Sequence, residues 1–343
     1  MSTTEMNDKE ELLLSVRDLH TSFFTDSGEV QAVNGVNFNL SRGKILGVVG
    51  ESGSGKSVTA YSIMQILADS GRVVGGEILY KGENILKYSK KQMDSFRGAK
   101  CSIIFQDPMT SLNPTFTIGY QLREALQLHT QYKTKEQANA RAVELLTMVG
   151  VNEPESRIKQ YPFELSGGMR QRVMIAMALA CEPDILIADE PTTALDVTIQ
   201  AQILELMKDL QKQLGMAIIM VTHDLGVIAS MCDEIIVMYG GRVCERGTAD
   251  DIFYRPCHEY TKGLLKSIPN VDNMNEKLIP IGGSPINMLA MPEGCAFCPR
   301  CENALKVCLT QKPEEIRTPD GHLAACWLNI KKLYENGELE VHA

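Results

Sequence analysis

The amino-acid sequence predicts an α/β fold, and three observations support this prediction. Three short apolar runs rich in β-branched residues are typical of buried strands in a parallel sheet: KILGVV at 44–49, DILIADE at 184–190 and AIIMVTHD at 217–224. Apolar residues recur at a helical period in VTAYSIMQIL, after the first run, and in VTIQAQILELMKDLQKQLG, between the second and third. A glycine-rich stretch separates the first predicted strand from the first predicted helix.

That glycine-rich stretch, GESGSGKS, matches the G-x-x-x-x-G-K-[ST] pattern of a phosphate-binding loop (P-loop) in full. Its glycines let backbone N–H groups curl around phosphates, and the following helix adds the positive end of its dipole. Lys56 is predicted to reach the β- and γ-phosphates of a nucleotide, and the Ser57 hydroxyl is predicted to bind Mg²⁺. The alternative is a glycine-rich turn without a ligand. The predicted nucleotide contacts are Gly50, Ser52, Gly53, Gly55, Lys56 and Ser57.

Two adjacent acids end the second predicted strand. Asp189 fits the carboxylate that helps to hold Mg²⁺, and Glu190 fits the base or water-orienting residue for attack on a γ-phosphate. Taken alone, two acids after an apolar strand are more often a solvated strand end. The P-loop upstream favours the functional interpretation.

Composition indicates an ordinary globular chain of 343 residues, 44% hydrophobic and 22% charged, with a net charge of −9. We expect a cytosolic chain without a membrane span, because no apolar run approaches the roughly 18 to 20 residues of a span and the N-terminus does not resemble a signal peptide. The acidic balance argues against nucleic acid as a partner. Ten cysteines in a reducing compartment indicate metal or redox chemistry better than disulfides.

The segment ELSGGMRQRVMIAMALA, at 164–180, opens on Ser-Gly-Gly and continues at a helical apolar period. Ser166 is predicted to cap this helix, and Gly167 and Gly168 leave backbone N–H groups open to an anion. Periodicity alone does not distinguish this site from a simple capped helix. The phrase LSGGMRQR, however, resembles the signature motif of ABC-transporter ATPases, and it lies at the expected distance after the P-loop.

This resemblance implies roles for four further residues. Gln106 in SIIFQDP matches the glutamine loop, which contacts Mg²⁺ and the transmembrane partner, and Asp196 in TTALDVT matches the D-loop aspartate, which touches the opposing subunit. His223 matches the switch histidine, which contacts the γ-phosphate. Phe23 in LHTSFFTDSG falls where the family stacks an aromatic ring on adenine; Phe24 is the alternative, and both could equally be strand core.

The resemblance also implies the fold class: a P-loop NTPase (RecA-like) core with an inserted helical subdomain at about residues 108–182. We expect a nucleotide-binding domain over residues 1–255 and a small C-terminal extension with the cysteines over residues 256–343. Within the extension, the stretch PNVDNMNEKLIPIGGSP at 269–285 is polar and rich in proline and glycine, which predicts a linker.

Four longer phrases narrow the resemblance to ATPases of oligopeptide/dipeptide importers, over most of residues 11–330: GESGSGKS, FQDPMTSLNP, YPFELSGGMRQRVMIAMALA and ADEPTTALDVTIQAQIL. That family has a His-Pro-Tyr-Thr phrase at the start of its extension, and this chain has CHEYT at 257–261, without the proline. The resemblance implies an ATP-hydrolysing motor subunit at the cytoplasmic face of the cell membrane. Nickel-complex or other small-solute cargo, and less favourably a non-transport ABC ATPase, remain alternatives.

The partners follow from the same resemblance. In this family ATP lies between the P-loop of one subunit and the signature loop of another, and this chain contains one of each. We therefore expect a second ABC ATPase subunit in a head-to-tail dimer, most simply a heterodimer. Two transmembrane permease subunits and an extracellular solute-binding protein would complete the importer.

The stretch GCAFCPRCENALKVC, at 294–308, holds four cysteines, and a fifth follows in HLAACW. Spacing alone selects Cys295, Cys298, Cys301 and Cys308, a run partly like that of bacterial ferredoxins. The pattern of the resembled family instead selects Cys295, Cys301, Cys308 and Cys326 as ligands of a [4Fe–4S] cluster, with Cys298 as the runner-up. Zn²⁺, or no metal, is the alternative. The cysteines lie outside every ATPase motif, so their expected role is to fold the tail by coordination.

Overall fold

The computed structural model of the protein describes residues 11–107, 111–193, 195–267, 280–318 and 321–336. Two β-sheets organise these residues, one of eight strands and one of four. The predicted α/β fold is confirmed. Within the described ranges, no helix is both long and apolar enough to cross a membrane.

The smaller sheet is antiparallel. Its strands, in chain order, are β1 (Leu12–Thr25), β2 (Gly28–Ser41), β4 (Gly71–Tyr80) and β5 (Glu83–Asn84), and their spatial order is β2-β1-β4-β5. Helix α1 (Lys56–Met64) packs against it, with the Thr21 hydroxyl 2.8 Å from that of Ser62. Apolar side chains of this sheet, of α1 and of the larger sheet form one core cluster, which includes Leu14, Val36, Ile63, Ile78 and Ile219.

The larger sheet contains β3 (Ile45–Val49), β6 (Cys101–Ile104), β7 (Ile185–Asp189), β8 (Ala217–Thr222), β9 (Glu234–Tyr239), β10 (Arg242–Gly247), β11 (Ile316–Arg317) and β12 (Leu323–Ala324). Its order is β11-β12-β10-β9-β3-β8-β7-β6. Neighbours from β9 to β6 are parallel, and β10, β12 and β11 continue the sheet antiparallel. Every residue of β3, β7 and β8 is buried, so the three strands predicted from unbroken apolar runs are confirmed.

The segment between β6 and β7 is helical where it is described. It holds α3 (Ile118–His129), α4 (Lys135–Met148), α5 (Pro154–Arg157) and α6 (Gly167–Leu179), whereas the short α2 (Lys90–Phe96) precedes β6. Thr117, Thr134 and Ser166 cap α3, α4 and α6, because each side-chain oxygen accepts a backbone N–H of the first turn. The prediction that Ser166 is an N-cap is confirmed.

Helix α7 (Val197–Leu214) follows β7 and has the apolar face that its sequence predicts. It ends at Gly215, which adopts a left-handed conformation with φ of 62°. Two residues of the predicted face are fully buried and three are partly buried against the core: Ile203 and Leu210, then Ile199, Leu206 and Leu214.

The C-terminal part of the chain joins the larger sheet through polar contacts. It contains α9 (Ala249–Tyr254), α10 (Glu259–Lys266) and α11 (Trp327–Glu335), after α8 (Leu225–Met231) of the core. Glu245 on β10 is fully buried and accepts N–H groups of Cys257 at 2.6 Å and His258 at 2.9 Å. His322 Nε2 lies 3.0 Å from the same carboxylate. Of the predicted linker at 269–285, residues 269–279 lie outside the described residues, and the remainder has no regular secondary structure.

The N-cap of α10 is a neutral histidine. His258 is buried, and its Nδ1 accepts the N–H of Tyr260 at 3.0 Å. Burial lowers the pKa of His258 to about 4, with nearby Glu245 and Glu259 opposing that shift. A protonated ring would lose the acceptor that caps the helix.

We expect acid to destabilise the protein through His258. In the unfolded chain this group has a pKa of about 6.5, so between pH 6.5 and 4 the unfolded state binds a proton that the folded state rejects. The stability is therefore intact above pH 6.5 and falls by about 2 kcal/mol at pH 5. His258→Asn keeps a capping oxygen without this titration. Denaturant unfolding at pH 7 and pH 5 should show a smaller loss in the variant, and equal losses would contradict the assignment.

Candidate functional site

The P-loop connects β3 to α1 at the carboxyl edge of the larger sheet. Gly50 has φ of +155°, and a Cβ there would lie 2.2 Å from the carbonyl oxygen of Met238 on β9. No side chain fits at that distance, so the first glycine of the motif is required by the approach of a neighbouring strand. Ser52 and Gly53 are exposed at the tip of the loop, and Gly55 is the N-cap residue of α1.

Lys56 lies inside this loop. Its side chain is buried, and Nζ donates to the carbonyl oxygens of Gly50 at 2.8 Å and Glu51 at 3.0 Å. Burial lowers the pKa of Lys56, and the negative charges of Glu190 and Asp189 oppose that shift. The ammonium group is thus held beside the loop and faces two carboxylates.

Asp189, at the end of β7, is joined to α1. Its Oδ1 accepts the Ser57 hydroxyl at 2.9 Å, and its Oδ2 accepts the Tyr61 hydroxyl at 2.8 Å. Burial raises the pKa of Asp189, although both hydroxyl groups oppose the shift. Ser57 and Asp189, together with Gln106 of the glutamine loop, offer oxygen atoms of the kind that Mg²⁺ prefers as ligands. The residues present therefore fit this ion.

Glu190 has a strained backbone and three side-chain donors. Its φ is +48°, which is unusual for a residue with a side chain. Its N–H donates to the carbonyl oxygen of Val221 at 2.8 Å. Its Oε2 accepts Gln106 Nε2 at 2.9 Å and the Thr193 hydroxyl at 2.8 Å, and its Oε1 lies 3.1 Å from His223 Nδ1. Burial alone would raise the pKa of Glu190, but His223 and Thr193 bring it below its usual value.

The structure therefore brings six of the predicted residues into one site: Lys56, Ser57, Gln106, Asp189, Glu190 and His223. Two residues of this site were not predicted from the sequence. Tyr61 and Thr193 are ordinary residues of a helix and a turn, and no spacing rule connects them to Asp189 and Glu190.

The predicted signature loop lies against the start of α7. Ser166 accepts the N–H of Met169 at 3.3 Å within its own helix. A Cβ on Gly168 would lie 2.9 Å from Ile199, so this glycine allows close packing, whereas one on Gly167 would make an ordinary contact of 3.7 Å with Leu195. Their N–H groups belong to the first turn of α6, which is the end of a helix that favours anions.

Asp196 and Phe23 occupy ordinary structural positions in the isolated chain. Asp196 is the N-cap of α7 and accepts the N–H of Ile199 at 3.0 Å. Phe23 on β1 is partly exposed, and its ring covers Gly71. The ring of Phe24, 40% exposed, lies under the Arg72 guanidinium at 4.1 Å. The role of Phe23 toward adenine stays a prediction.

A glycine allows the two ends of the cysteine segment to contact each other. The N–H of Cys295 donates to the carbonyl oxygen of Cys308 at 2.8 Å. A Cβ on Gly294 would lie 2.1 Å from that same oxygen, so the two ends of the segment approach this closely only because residue 294 is a glycine. This contact brings the two ends of GCAFCPRCENALKVC together.

Four of the five cysteines near the C-terminus share one electrostatic neighbourhood. Burial raises the pKa of Cys295 and of Cys301 to about 11, and charge on Cys308 and Cys326 adds to the shift at both. Burial also raises the pKa of Cys326, with a contribution from Cys308. Burial also raises the pKa of Cys298, and among the cysteines only Cys308 adds to that shift.

Backbone N–H groups near Cys295, Cys301 and Cys326 oppose the increase in pKa that burial causes at these thiols. The choice of Cys326 over Cys298 as a ligand stays a prediction.

The spacing of these sulfurs bears on the metal. Among the residues that the structure describes, no three cysteine sulfurs lie within 4.8 Å of one another. Four thiolates on one zinc ion, with bonds of about 2.3 Å, would have to lie only about 3.8 Å apart. In a four-iron cluster each thiolate binds a different iron. The iron–sulfur cluster, with its ligands, stays a prediction.

Two family models match the chain: ABC transporter, over residues 33–193, and Oligopeptide/dipeptide transporter, C-terminal region, over residues 244–308. The chain is 52% identical over 323 residues to the dipeptide transport ATP-binding protein DppD of Bacillus subtilis, covering 94% of this chain and 96% of that protein. It is 49% identical over 322 residues to the oligopeptide transport ATP-binding protein OppD of Salmonella typhimurium, covering 94% and 95%.

Solved structures resemble the fold. A dimeric ATP-binding cassette in a post-hydrolysis state with ADP and Pi matches with a TM-score of 0.62 at 28% identity, covering 69% of this chain and 99% of that one. A part of the cbiONQ ABC transporter complex from Clostridium perfringens matches with a TM-score of 0.62 at 30% identity, covering 72% and 92%.

The fold and the P-loop site define an ATPase of the P-loop class. This conclusion agrees with the predicted RecA-like core, and the prediction of ATPase activity is confirmed. The chain belongs to the family of ABC-transporter ATP-binding proteins that have the oligopeptide/dipeptide C-terminal region.

We expect Glu190→Gln to bind ATP with nearly the parent affinity and to hydrolyse it about 100-fold or more slowly, because the amide keeps the shape of the carboxylate but cannot accept a proton. Lys56→Ala should instead weaken nucleotide binding. Single-turnover hydrolysis and equilibrium nucleotide binding separate the two effects. Glu77→Gln, at an exposed position on β4, is the matched control. Parent-rate hydrolysis by the Glu190 variant would contradict the role of this carboxylate.

Proposed function

We propose that this chain is the ATP-hydrolysing motor subunit of an ABC importer that takes up di- and oligopeptides through separate membrane subunits. The observation that supports this most is the identity of about half of all residues with two peptide-transport ATP-binding proteins, over 94% of the chain and including its C-terminal region. The C-terminal region matches the family model of oligopeptide/dipeptide transporters, and this match favours peptide over nickel-complex cargo.

In the proposed mechanism the P-loop and Lys56 hold the phosphates of ATP. Ser57, Gln106 and Asp189 would hold Mg²⁺, and the ion would supply positive charge to offset the negative charge of the phosphates. Glu190 orients or deprotonates the attacking water, and its lowered pKa keeps it ionised at neutral pH. His223, already hydrogen-bonded to Glu190, aligns that carboxylate and reaches toward the γ-phosphate.

A second ATPase subunit completes the site. Ser166, Gly167 and Gly168 present helix N–H groups that suit the γ-phosphate of ATP bound to another subunit, and Asp196 lies beside them at the start of α7. One of the structures that resemble this chain is itself a dimeric cassette. We infer a head-to-tail dimer with an ATPase subunit of the same family, most simply a heterodimer.

The proposed importer has further subunits. The dimer would bind two transmembrane permease subunits at the cytoplasmic face of the membrane, and an extracellular solute-binding protein would deliver the peptide to them. Within the chain, residues 1–255 would form the nucleotide-binding domain, with the helical subdomain at about 108–182, and residues 256–343 the extension. Phe23 would stack on adenine.

For the extension we propose a [4Fe–4S] cluster held by Cys295, Cys301, Cys308 and Cys326. The backbone contact between Cys295 and Cys308 supports a site that joins both ends of the 294–308 segment, and the resemblance to importer ATPases selects Cys326 over Cys298. The cluster would supply structural cross-links among residues that are far apart in the chain. Cys326 would then tie the start of α11 to the 294–308 segment, whereas Cys298 would remain a thiol.

We expect dilute, isolated protein to hydrolyse ATP slowly, and turnover per chain to rise about 100-fold when the partner subunits are added, because the helix N–H groups at the γ-phosphate come from another chain. Steady-state turnover should be measured against protein concentration, alone and in the reconstituted complex. Full activity in a dilute monomer, independent of concentration, would show that one chain suffices.

We expect protein purified without oxygen to be brown, with about four iron and four sulfide ions per chain. Cys326→Ser should bleach it, and Cys298→Ser, the matched control in the same segment, should not. Iron and sulfide analysis with the visible absorption spectrum tests both. Colourless protein with one zinc ion per chain would refute the cluster. Bleaching by the Cys298 substitution alone would refute only the choice of ligands.

A further inference from the structure

An arginine of the cysteine segment reaches the P-loop. Arg300 stands between Cys298 and Cys301 in the chain, 249 residues after Glu51 of the P-loop. Its two terminal nitrogens donate to the two carboxylate oxygens of Glu51, at 2.6 and 3.0 Å. This is the bidentate geometry in which guanidinium and carboxylate bind each other most strongly.

The pair is enclosed, and the arginine has no spare donor. Only 4% of the Arg300 side chain and 26% of that of Glu51 are exposed. The three remaining N–H groups donate to the carbonyl oxygens of Gly282 and Ile281 and to the Tyr239 hydroxyl, at 2.9, 3.2 and 3.3 Å. Because all five donors are used, the guanidinium has one orientation, and its two hydrogen bonds fix the orientation of the Glu51 carboxylate.

Glu51 is also held through its backbone, on both sides. Its N–H donates to the hydroxyl of Tyr260, a buried residue of α10, at 2.7 Å. Its carbonyl oxygen accepts Lys56 Nζ at 3.0 Å. Glu51 thus stands between two groups of the C-terminal part of the chain and the lysine that faces the phosphates.

We propose that Arg300 is a positioning residue for ATP binding: by neutralising and orienting Glu51 it keeps the P-loop ready for the nucleotide, so the folded cysteine segment sets the affinity for ATP. The inference rests on the proposed function in taking this loop as the ATP site. Two physical effects act in the same direction. Without Arg300 the loop loses a support, and Glu51 becomes an uncompensated negative charge beside a polyanionic ligand.

A second arginine–glutamate ion pair provides the control. Arg246 on β10 binds Glu315, which precedes β11, through two contacts of 2.9 and 3.2 Å. It also joins the core to the C-terminal part of the chain, but it does not touch the P-loop. Loss of either pair removes a contact between the core and the C-terminal region. Only the loss of Arg300 also removes the counter-charge of Glu51.

The test is MgATP affinity, measured by titration calorimetry on the full chain, and KM and kcat in the assembled complex. Arg300→Gln should raise Kd and KM about 10-fold or more and change kcat less than about 3-fold. Arg300→Lys, which keeps the charge without the fork, should be intermediate. Arg246→Gln should bind MgATP as the parent does.

A double-mutant cycle shows whether the effect passes through Glu51. In a Glu51→Gln background, Arg300→Gln should cost little further affinity. The inference is overturned if Arg300→Gln binds as tightly as the parent, if its loss is equal in both backgrounds, or if Arg246→Gln loses as much. A parent that does not bind MgATP would overturn the proposed function as well, which distinguishes the two failures.

Discussion

The site depends on one constraint: β3, β8 and β7 lie parallel and fully buried, so their carboxyl ends meet at one edge of the sheet. The P-loop follows β3, His223 follows β8, and Asp189 ends β7, with Glu190 one residue later. Residues more than 100 positions apart thereby come within hydrogen-bond distance, as Ser57 and Asp189 do at 2.9 Å. The apolar residues of these strands take no part in the chemistry, but they fix the positions of the groups that do.

The two adjacent carboxylates then acquire different properties from their surroundings. Burial acts on both in the same direction and would raise both pKa values. At Asp189 burial prevails over the hydroxyl groups of Ser57 and Tyr61, so the pKa is raised. At Glu190 the imidazole of His223 and the hydroxyl of Thr193 prevail, so the pKa is lowered. A cation beside Asp189 would compensate its cost of burial, while Glu190 is ionised without one.

The sequence was sufficient for features that depend on neighbours along the chain. Strand runs, the P-loop, the Ser166 cap and the apolar face of α7 all follow from periods or motifs within about 20 residues. Contacts across the fold that involve residues outside the recognised roles were not predicted. Tyr61 meets Asp189 across 128 residues, and Arg300 meets Glu51 across 249, and neither pair has a spacing that a pattern could reveal. Asp196, which the resemblance assigns to a contact with a second chain, caps its own helix in this one.

The C-terminal part of the chain is attached by buried polar contacts in addition to Tyr260 and Phe297, which lie in the apolar core. Glu245 receives donors from two sides of the extension, at Cys257 and at His322, and Arg300 carries a third attachment to the P-loop. The Arg300–Glu51 pair is the charged contact among these, so losing one partner leaves the other without its counter-charge. A change in the fold of the cysteine segment cannot stay local, because the same arginine that lies among the cysteines neutralises a residue of the ATP site.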